Sequence, residues 1–234
     1  MFFSPLNLVR FLSQQFPDAL FYQPTTEPVI ALTIDDVGDD STQEILEAIA
    51  DYNQNKNKLK NPVKATFFIT THQLQQNSKI LAQILAQDHE LGNHGVYDRT
   101  HANLKPAELE QEILEAHQQL TQYTGAQIKW FRPGRGRYNQ TMVKILSKMV
   151  ENAGYYPQFA LASMIPLDTY RMTNHPKFTA QYATQFIFPG SILVLHGGSP
   201  QRAHQTAMAL PSILSYCEQN HYRVVSLTEL FEQY

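Results

Sequence analysis

Val29-Ile-Ala-Leu-Thr-Ile-Asp-Asp-Val-Gly38 is the stretch that decides the architecture. Val29–Ile34 is a nearly continuous apolar run, shorter than a core helix and without the alternation of a half-exposed strand. It reads as a strand covered on both faces. Two carboxylates follow it directly. Runs of the same kind recur at Ala65–Thr70, His89–Asn93, Lys129–Arg132, Gln158–Ala162, Ile192–His196 and Arg223–Leu227. Between them lie helical patterns at Thr42–Asn53, Ser78–Ala86, Pro106–Tyr123, Thr141–Asn152, Phe178–Gln185 and His204–Gln219. Pro106 suits a first helical turn and Ser41 an N-cap; Gly125 and Gly154 fall just past helix ends, where a left-handed residue is needed. This alternation implies an α/β protein with parallel strands joined by right-handed crossovers. The local pattern fits an open doubly wound sheet as well as a closed or nearly closed barrel. Only Asn53–Asn61 looks like a loop, so one domain is expected.

The 234 residues are 43% apolar and 17% charged, which supports a substantial core and excludes disorder as the main state. A net charge of -3 and a pI near 6.3 leave no broad basic footprint for nucleic acid. The single cysteine, Cys217, excludes an internal disulfide framework and a Cys-rich zinc site. Nine histidines and the carboxylates are then the metal-binding material. No apolar run approaches the roughly 18 residues that span a bilayer. Near the N-terminus, Leu6, Val9, Leu12 and Phe16 recur at helical spacing, so residues 1–27 read as a helical extension packing on a domain of residues 28–234. That segment has no basic n-region and no small-residue cleavage site, which favours the cytoplasm as the expected compartment.

In parallel α/β architectures, ligands and catalysis gather where strands end. The polar residues after each apolar run are therefore informative. Asp35 and Asp36 follow the first, and His94, with Asp98 and His101 in the next loop, follows His89–Asn93. Arg132 closes Lys129–Arg132, Asp168 lies in the loop after Gln158–Ala162, and His196 ends Ile192–His196. Taken singly, each has a plain explanation. Asp-Asp-Val-Gly is good turn chemistry, and a lone loop histidine is commonly just exposed. His94 and His101 are seven apart, about 10 Å along a helix, so they could share a cation only from a loop. Asp98, four residues after His94, is an alternative ligand. Together these groups would supply a carboxylate–imidazole set for a hydrolytic metal, a base, and a titrating imidazole for protonating a leaving group. His89, inside its run, reads as support for the site. Arg135 and Arg137 add positive charge nearby. RPGRGRYN lacks the spacing of a nucleotide loop, no GxSxG is present, and Cys217 sits mid-helix, so nucleotide binding and covalent catalysis have no support.

As an ensemble the motifs resemble the polysaccharide deacetylase family, the NodB-homology domain of carbohydrate esterase family 4. TIDDVG (Thr33–Gly38) is similar to its T-F-D-D-G motif, HELGNH (His89–His94) to the approach to its metal histidine, WFRPG (Trp130–Gly134) to its third motif and LVLH (Leu193–His196) to its last. RVVSLTEL (Arg223–Leu230) reads like the end of that domain. The resemblance runs in family order from Val29 to Leu230. It implies a distorted (β/α)7 barrel and a metal-dependent hydrolase that removes acetyl groups from N-acetylated amino sugars or polysaccharides. By position it makes Asp35 the general base, Asp36 and His94 metal ligands, Arg132 the residue that orients the base, His196 the general acid and Asp168 its partner. A backbone N–H in the Pro133–Arg135 turn would help to hold the oxyanion. Zinc is the expected cation, with cobalt, nickel, iron or manganese also compatible with N/O ligands.

Three departures from the family pattern stand out. The family spaces its metal histidines H-x-x-x-H; here His101 is three residues too far and Asp98 holds the i+4 position. His101 is favoured as third ligand, with Asp98 as the alternative. Val37 precedes Gly38, Gly134-Arg135 stands where a bulky residue is usual, and SMIPLD (Ser163–Asp168) lacks an Asp-Trp ending. Two other functions stay open: hydrolysis of another C–N bond, in a cyclic imide or ureide, which Arg135 and Arg137 would favour for a small anionic substrate; or a catalytically weak carbohydrate-binding protein. The expected partner is a carbohydrate or small amide, and the sequence is silent on oligomeric state.

Overall fold

The structure is a computed structural model that describes residues 4–55, 61–74, 79–164, 167–170, 173 and 175–234, with only the backbone of Tyr123. Ser78, residues 56–60 of the expected loop and Ile165-Pro166 of the Asp168 loop lie outside the described residues.

The central strand is longer than its apolar run. After α1 (Pro5–Gln15) and β1 (Ala19–Leu20), β2 spans Val29–Val37, includes both aspartates and is buried throughout. Then come α2 (Thr42–Asn55), β3 (Thr66–Ile69), α3 (Lys79–Ala86), β4 (Glu90–Asn93), α4 (Pro106–Thr124), α5 (Gln140–Ala153) and β5 (Phe159–Ala160). The chain ends with α6 (Pro176–Thr184), β6 (Ile192–His196), α7 (Pro200–Gln219), β7 (Arg223–Val225) and α8 (Leu227–Gln233). Gly125 and Gly154 cap α4 and α5 in the left-handed region, and Pro106 opens α4. Ser41 stands immediately before α2, its carbonyl accepting from Glu44 N at 3.2 Å and its hydroxyl donating to Asp39 Oδ1 at 2.6 Å. Arg223–Leu227 is strand only to Val225, because Ser226 accepts from Glu229 N and starts α8.

All ladders between strands are parallel, in the order β4-β3-β2-β6, with β7 also on β2. The rest of the wall is held by fewer bonds. Lys129–Arg132 forms no ladder: Phe131 makes one bridge to Asn93, with Arg132 N donating to Asn93 O at 3.0 Å. Pro133 has no N–H with which to continue. The Arg132 side chain supplies bonds instead, Nε to Ala160 O at 2.8 Å and Nη2 to Leu161 O at 3.0 Å. Ala160 N reaches Phe131 O, and Ser163 N reaches the O of Ile192, the first residue of β6, at 2.9 Å. The wall thus returns on itself, and the fold is a distorted (β/α)7 barrel; the open sheet is set aside. The N-terminal segment enters this seam, with β1 parallel to β5 and Tyr22 bridging Ser191 just before β6.

Strand alternation sorts the core. Ile30, Leu32 and Ile34 belong to the cluster shared with α2 and α7, while Val29 and Ala31 join Phe68, Trp130, Ile192 and Val225 in the other, which Leu227 and Leu230 of α8 complete. Thr33 and Asp35 follow Val29 and Ala31 in that alternation, toward Arg132. The polar site therefore begins where this second apolar cluster stops.

Candidate active site

Asp35 and Asp36 would face opposite ways on a regular strand. Between Ile34 and Val37 the register with β3 shifts, so that Ile34 pairs with Phe67 but Val37 with Ile69, and Asp36 has φ 57°. This extra residue is a bulge, a device that re-aims side chains. The left-handed backbone is costly for a non-glycine residue and is tolerated where the surroundings fix it. Gly197-Gly198, unexplained by the sequence, provides the room: a Cβ on Gly198 would lie 2.7 Å from Asp36 Cβ and one on Gly197 2.6 Å from Val37 Cγ1. Gly198 itself has φ 77°. Gly198→Ala is therefore expected to cost about 2 kcal/mol, read as a lower urea midpoint.

Arg132 and Asp35 form a buried ion pair, Nη1 to Oδ1 at 2.6 Å, and the same Nη1 donates to Thr33 Oγ1 at 2.7 Å. The guanidinium lies 4.1 Å from the Phe68 ring centroid. With its bonds to two carbonyls, it has almost no freedom left, and it fixes Asp35 in turn. His196 stands opposite Asp35 in the β2–β6 register. Its Nδ1 lies 3.0 and 3.1 Å from the two Asp168 oxygens. Burial disfavours the imidazolium, but Asp168, with Asp35 and Asp36 behind it, outweighs burial and raises the pKa to about 9.

The candidate metal ligands follow from the hydrogen bonds of His94. Its Nδ1 is 2.8 Å from Arg132 O, a carbonyl that can only accept, so Nδ1 carries the proton and Nε2 presents a lone pair. That Nε2 faces Asp36 Oδ1 at 3.3 Å, and this buried oxygen has no hydrogen-bond partner. Two acceptors at this distance need a proton or a cation between them. Donors bound about 2.0–2.2 Å from a tetrahedral ion lie roughly 3.4 Å apart, which the pair matches. A carboxylate oxygen of Asp98 completes a set whose atoms all lie within 4.8 Å of one another. The residues present fit a divalent cation. Without a cation, the alternative is a proton on His94 Nε2: burial works against charge on Asp36, yet protonated His94, with His196 and Arg202, holds its pKa down at about 2.

His101 is not in that set. Its Nδ1 accepts from Gly134 N at 2.7 Å, which places the proton on Nε2, 3.4 Å from Glu112 Oε1. In this tautomer neither nitrogen offers a free lone pair, and Nε2 makes no hydrogen bond among the described residues. The ring is fully buried between Gly95 and Gly134, where added Cβ atoms would lie 2.4 and 3.2 Å from its nitrogens. Glu112 also accepts from Tyr97 N and pairs with Arg99. His101 thus anchors the loop that carries Asp98. Glu112 carries no signal in the sequence, because only the packing of α4 brings it to Tyr97, Arg99 and His101. Arg202, 3.7 Å from Asp36 Oδ2, is likewise brought to the site only by the packing of α7. His89 is a correction: it precedes β4, about 16 Å by strand rise from His94. Burial lowers its pKa to about 4, and it packs on Phe67, so it supports the core and not the site. Arg135 is paired with Asp98 at 3.1 Å.

Asp35, Asp36, His94, Asp98, Arg132 and His196 line one cavity of about 660 Å³ at the C-terminal ends of the strands. Fold and site together define a barrel built around a candidate cation-binding, proton-transferring centre. The chain belongs to the polysaccharide deacetylase family, whose sequence model matches residues 22–153, more than half its length. It is 28% identical over 213 residues to a peptidoglycan-N-acetylglucosamine deacetylase of Bacillus cereus, covering 88% of this chain and 90% of that protein. Its fold is similar to the crystal structure of a peptidoglycan N-acetylglucosamine deacetylase at 22% identity, with TM-score 0.79 over 100% of this chain and 98% of the other. A family 4 acetyl xylan esterase from Clostridium thermocellum in complex with a cobalt ion superposes with TM-score 0.72 at 24% identity, covering 86% and 89% of the two chains. So does a family 4 pseudoenzyme from Bacillus anthracis, with TM-score 0.74 at 22% identity over 92% and 69%. Among the described residues, no helix is long and apolar enough to cross a membrane.

Proposed function

We propose that the protein is a divalent-metal-dependent deacetylase acting on N-acylated amino sugars or their polymers, with its chemistry in residues 28–234. The observation that carries this reading is the convergence on one cavity of an Asp–Arg pair, a His–Asp pair and the Asp36/His94/Asp98 set. Family relatives that are deacetylases support a hydrolase acting on carbon–nitrogen bonds. Arg135 is already paired with Asp98, which weakens the case that it waits for a small anionic imide or ureide.

Asp36, His94 and Asp98 would hold the cation, zinc being compatible with this N/O set. When bound, such an ion polarises the substrate carbonyl and makes water a stronger acid. Arg132 occupies Asp35 Oδ1, so Asp35 takes the proton of the attacking water at Oδ2. In the Pro133–Arg135 turn, Gly134 N is spent on His101 and proline has no N–H, which leaves Arg135 N to face the oxyanion. His196, protonated and held through Nδ1 by Asp168, delivers its Nε2 proton to the departing amine.

Two experiments test this assignment. Metal content of the purified protein, loaded with zinc or cobalt, is expected to be one ion per chain. Asp98→Ala should weaken binding at least tenfold in calorimetry, whereas His101→Ala should lower the melting temperature and affect affinity less. The reverse pattern would restore His101 as the ligand, and no binding at all would remove the metal-dependent reading. The second concerns pH. His196 has a folded-state pKa of about 9, above its ordinary 6.5, so its pairing stabilises the fold fully below pH 6.5 and is lost as pH rises through 9. Removing Asp168 removes the main cause of that rise. Asp168→Asn is expected to move the alkaline limb of the kcat profile to lower pH, and an unmoved limb would exclude His196 as the acid.

A further inference from the structure

One wall of the active-site cavity comes from outside the barrel. Leu8, Val9 and Leu12 of α1 and Phe21 beyond β1 line the same 660 Å³ space as Asp35, His94 and His196. Met164 and Phe186 continue this wall. The α1 side is fixed in place: Val9 is 2% exposed, Phe16 packs on Phe21 and Tyr138, and β1 is hydrogen-bonded into the seam. Ser163, a polar residue within the wall, is spent, its Oγ donating to Phe21 O and accepting from Ile192 N.

Such a wall is a poor match for a polyol. Sugar hydroxyls placed against Leu8, Val9, Leu12 and Phe21 would lose water without gaining side-chain partners, at a net cost, whereas Tyr182 beside Phe186 offers a hydroxyl farther along. Hydrocarbon placed there gains, and it gains twice, because Leu8 is 46% exposed and is itself waiting to be covered. Arg137 and the Asp98–Arg135 pair line the same cavity and add polar groups to it. A substrate whose reactive carbonyl sits at the aspartates therefore shares the cavity with a hydrocarbon-accepting surface as well as with polar groups.

We infer that α1 and Phe21 make the acyl side of this site specific for chains longer than acetyl, so that the preferred substrate is an amino sugar carrying a medium-length N-acyl group. The inference rests on the deacylase reading and names its substrate class. The products are the free amino sugar and the corresponding carboxylate, with water supplying the oxygen to the acyl carbon and a proton to the nitrogen.

The test uses the zinc-loaded full chain and a series of N-acyl glucosamines from acetyl to octanoyl, with turnover and binding measured separately. Each added methylene over the first few carbons is expected to raise kcat/KM and binding affinity about threefold. Leu12→Asn and, as a milder change at the exposed edge, Leu8→Asn are expected to flatten that slope, with Leu12→Met restoring it. A flat or falling series in the unmodified protein, in both turnover and binding, overturns the inference. Binding that rises with chain length without hydrolysis of any member keeps the acyl wall and rejects the hydrolase reading. Acetyl turnover with no length dependence does the opposite.

Discussion

Asp35→Asn is expected to lower kcat by about 10²–10⁴-fold, the usual contribution of a positioned base, while leaving the barrel folded. The amide keeps an oxygen for Arg132 Nη1, so the geometry at 2.6 Å has an acceptor in either form. What it loses is the ability to take a proton. Metal stoichiometry should be retained, because Asp35 is outside the Asp36/His94/Asp98 set. The measurement is steady-state turnover of the best substrate alongside metal content and far-UV circular dichroism. Unchanged turnover would remove Asp35 from the base role, and lost metal would mean that it is a ligand.

The second large effect is on stability. Arg132→Met removes a buried cation that holds Asp35, Thr33 Oγ1 and the carbonyls of Ala160 and Leu161. Leaving a buried carboxylate without its partner costs about 3–5 kcal/mol, a large share of a typical domain's 5–15 kcal/mol. Urea denaturation should show this loss, and Asp35→Asn in the Arg132→Met background should recover part of it by neutralising the stranded charge. Two losses that simply add would mean that the pair is not energetically coupled.

Much of the barrel was legible because its strands are buried on both faces and announce themselves as apolar runs. The strands that were misjudged are those whose pairing is not local. Lys129–Arg132 has the composition of a strand, but Pro133 stops its ladder and the Arg132 side chain takes over. Ala19–Leu20 is a strand only because β5 reaches it from far along the chain. In the site, the residue types after each strand were readable, and so was the need for a bend at Asp35-Asp36. For the third ligand the sequence offered His101 and Asp98, and only the folded chain groups Asp98 with Asp36 and His94. His94 to Asp98 is a spacing within one loop, but His101 was judged by its side chain alone, and its partners Gly134 and Glu112 come from other elements. Glycine pairs were equally opaque: Gly197-Gly198 has no meaning until Asp36 is seen against it.

The stave inserted by β1 also bears on the order in which the molecule assembles. Gln158 Nε2 donates to Pro17 O across 141 residues, and β1 pairs with β5 over a similar span. A segment near the start of the chain must therefore wait through synthesis of nearly two thirds of the molecule for its neighbour. Contacts this distant in sequence are paid for in loop entropy before they return anything. The ladders of β2, β3 and β4 involve residues much closer together and can form first. The seam then closes after that sheet has begun, together with the still more distant ladders that join β2 to β6 and β7.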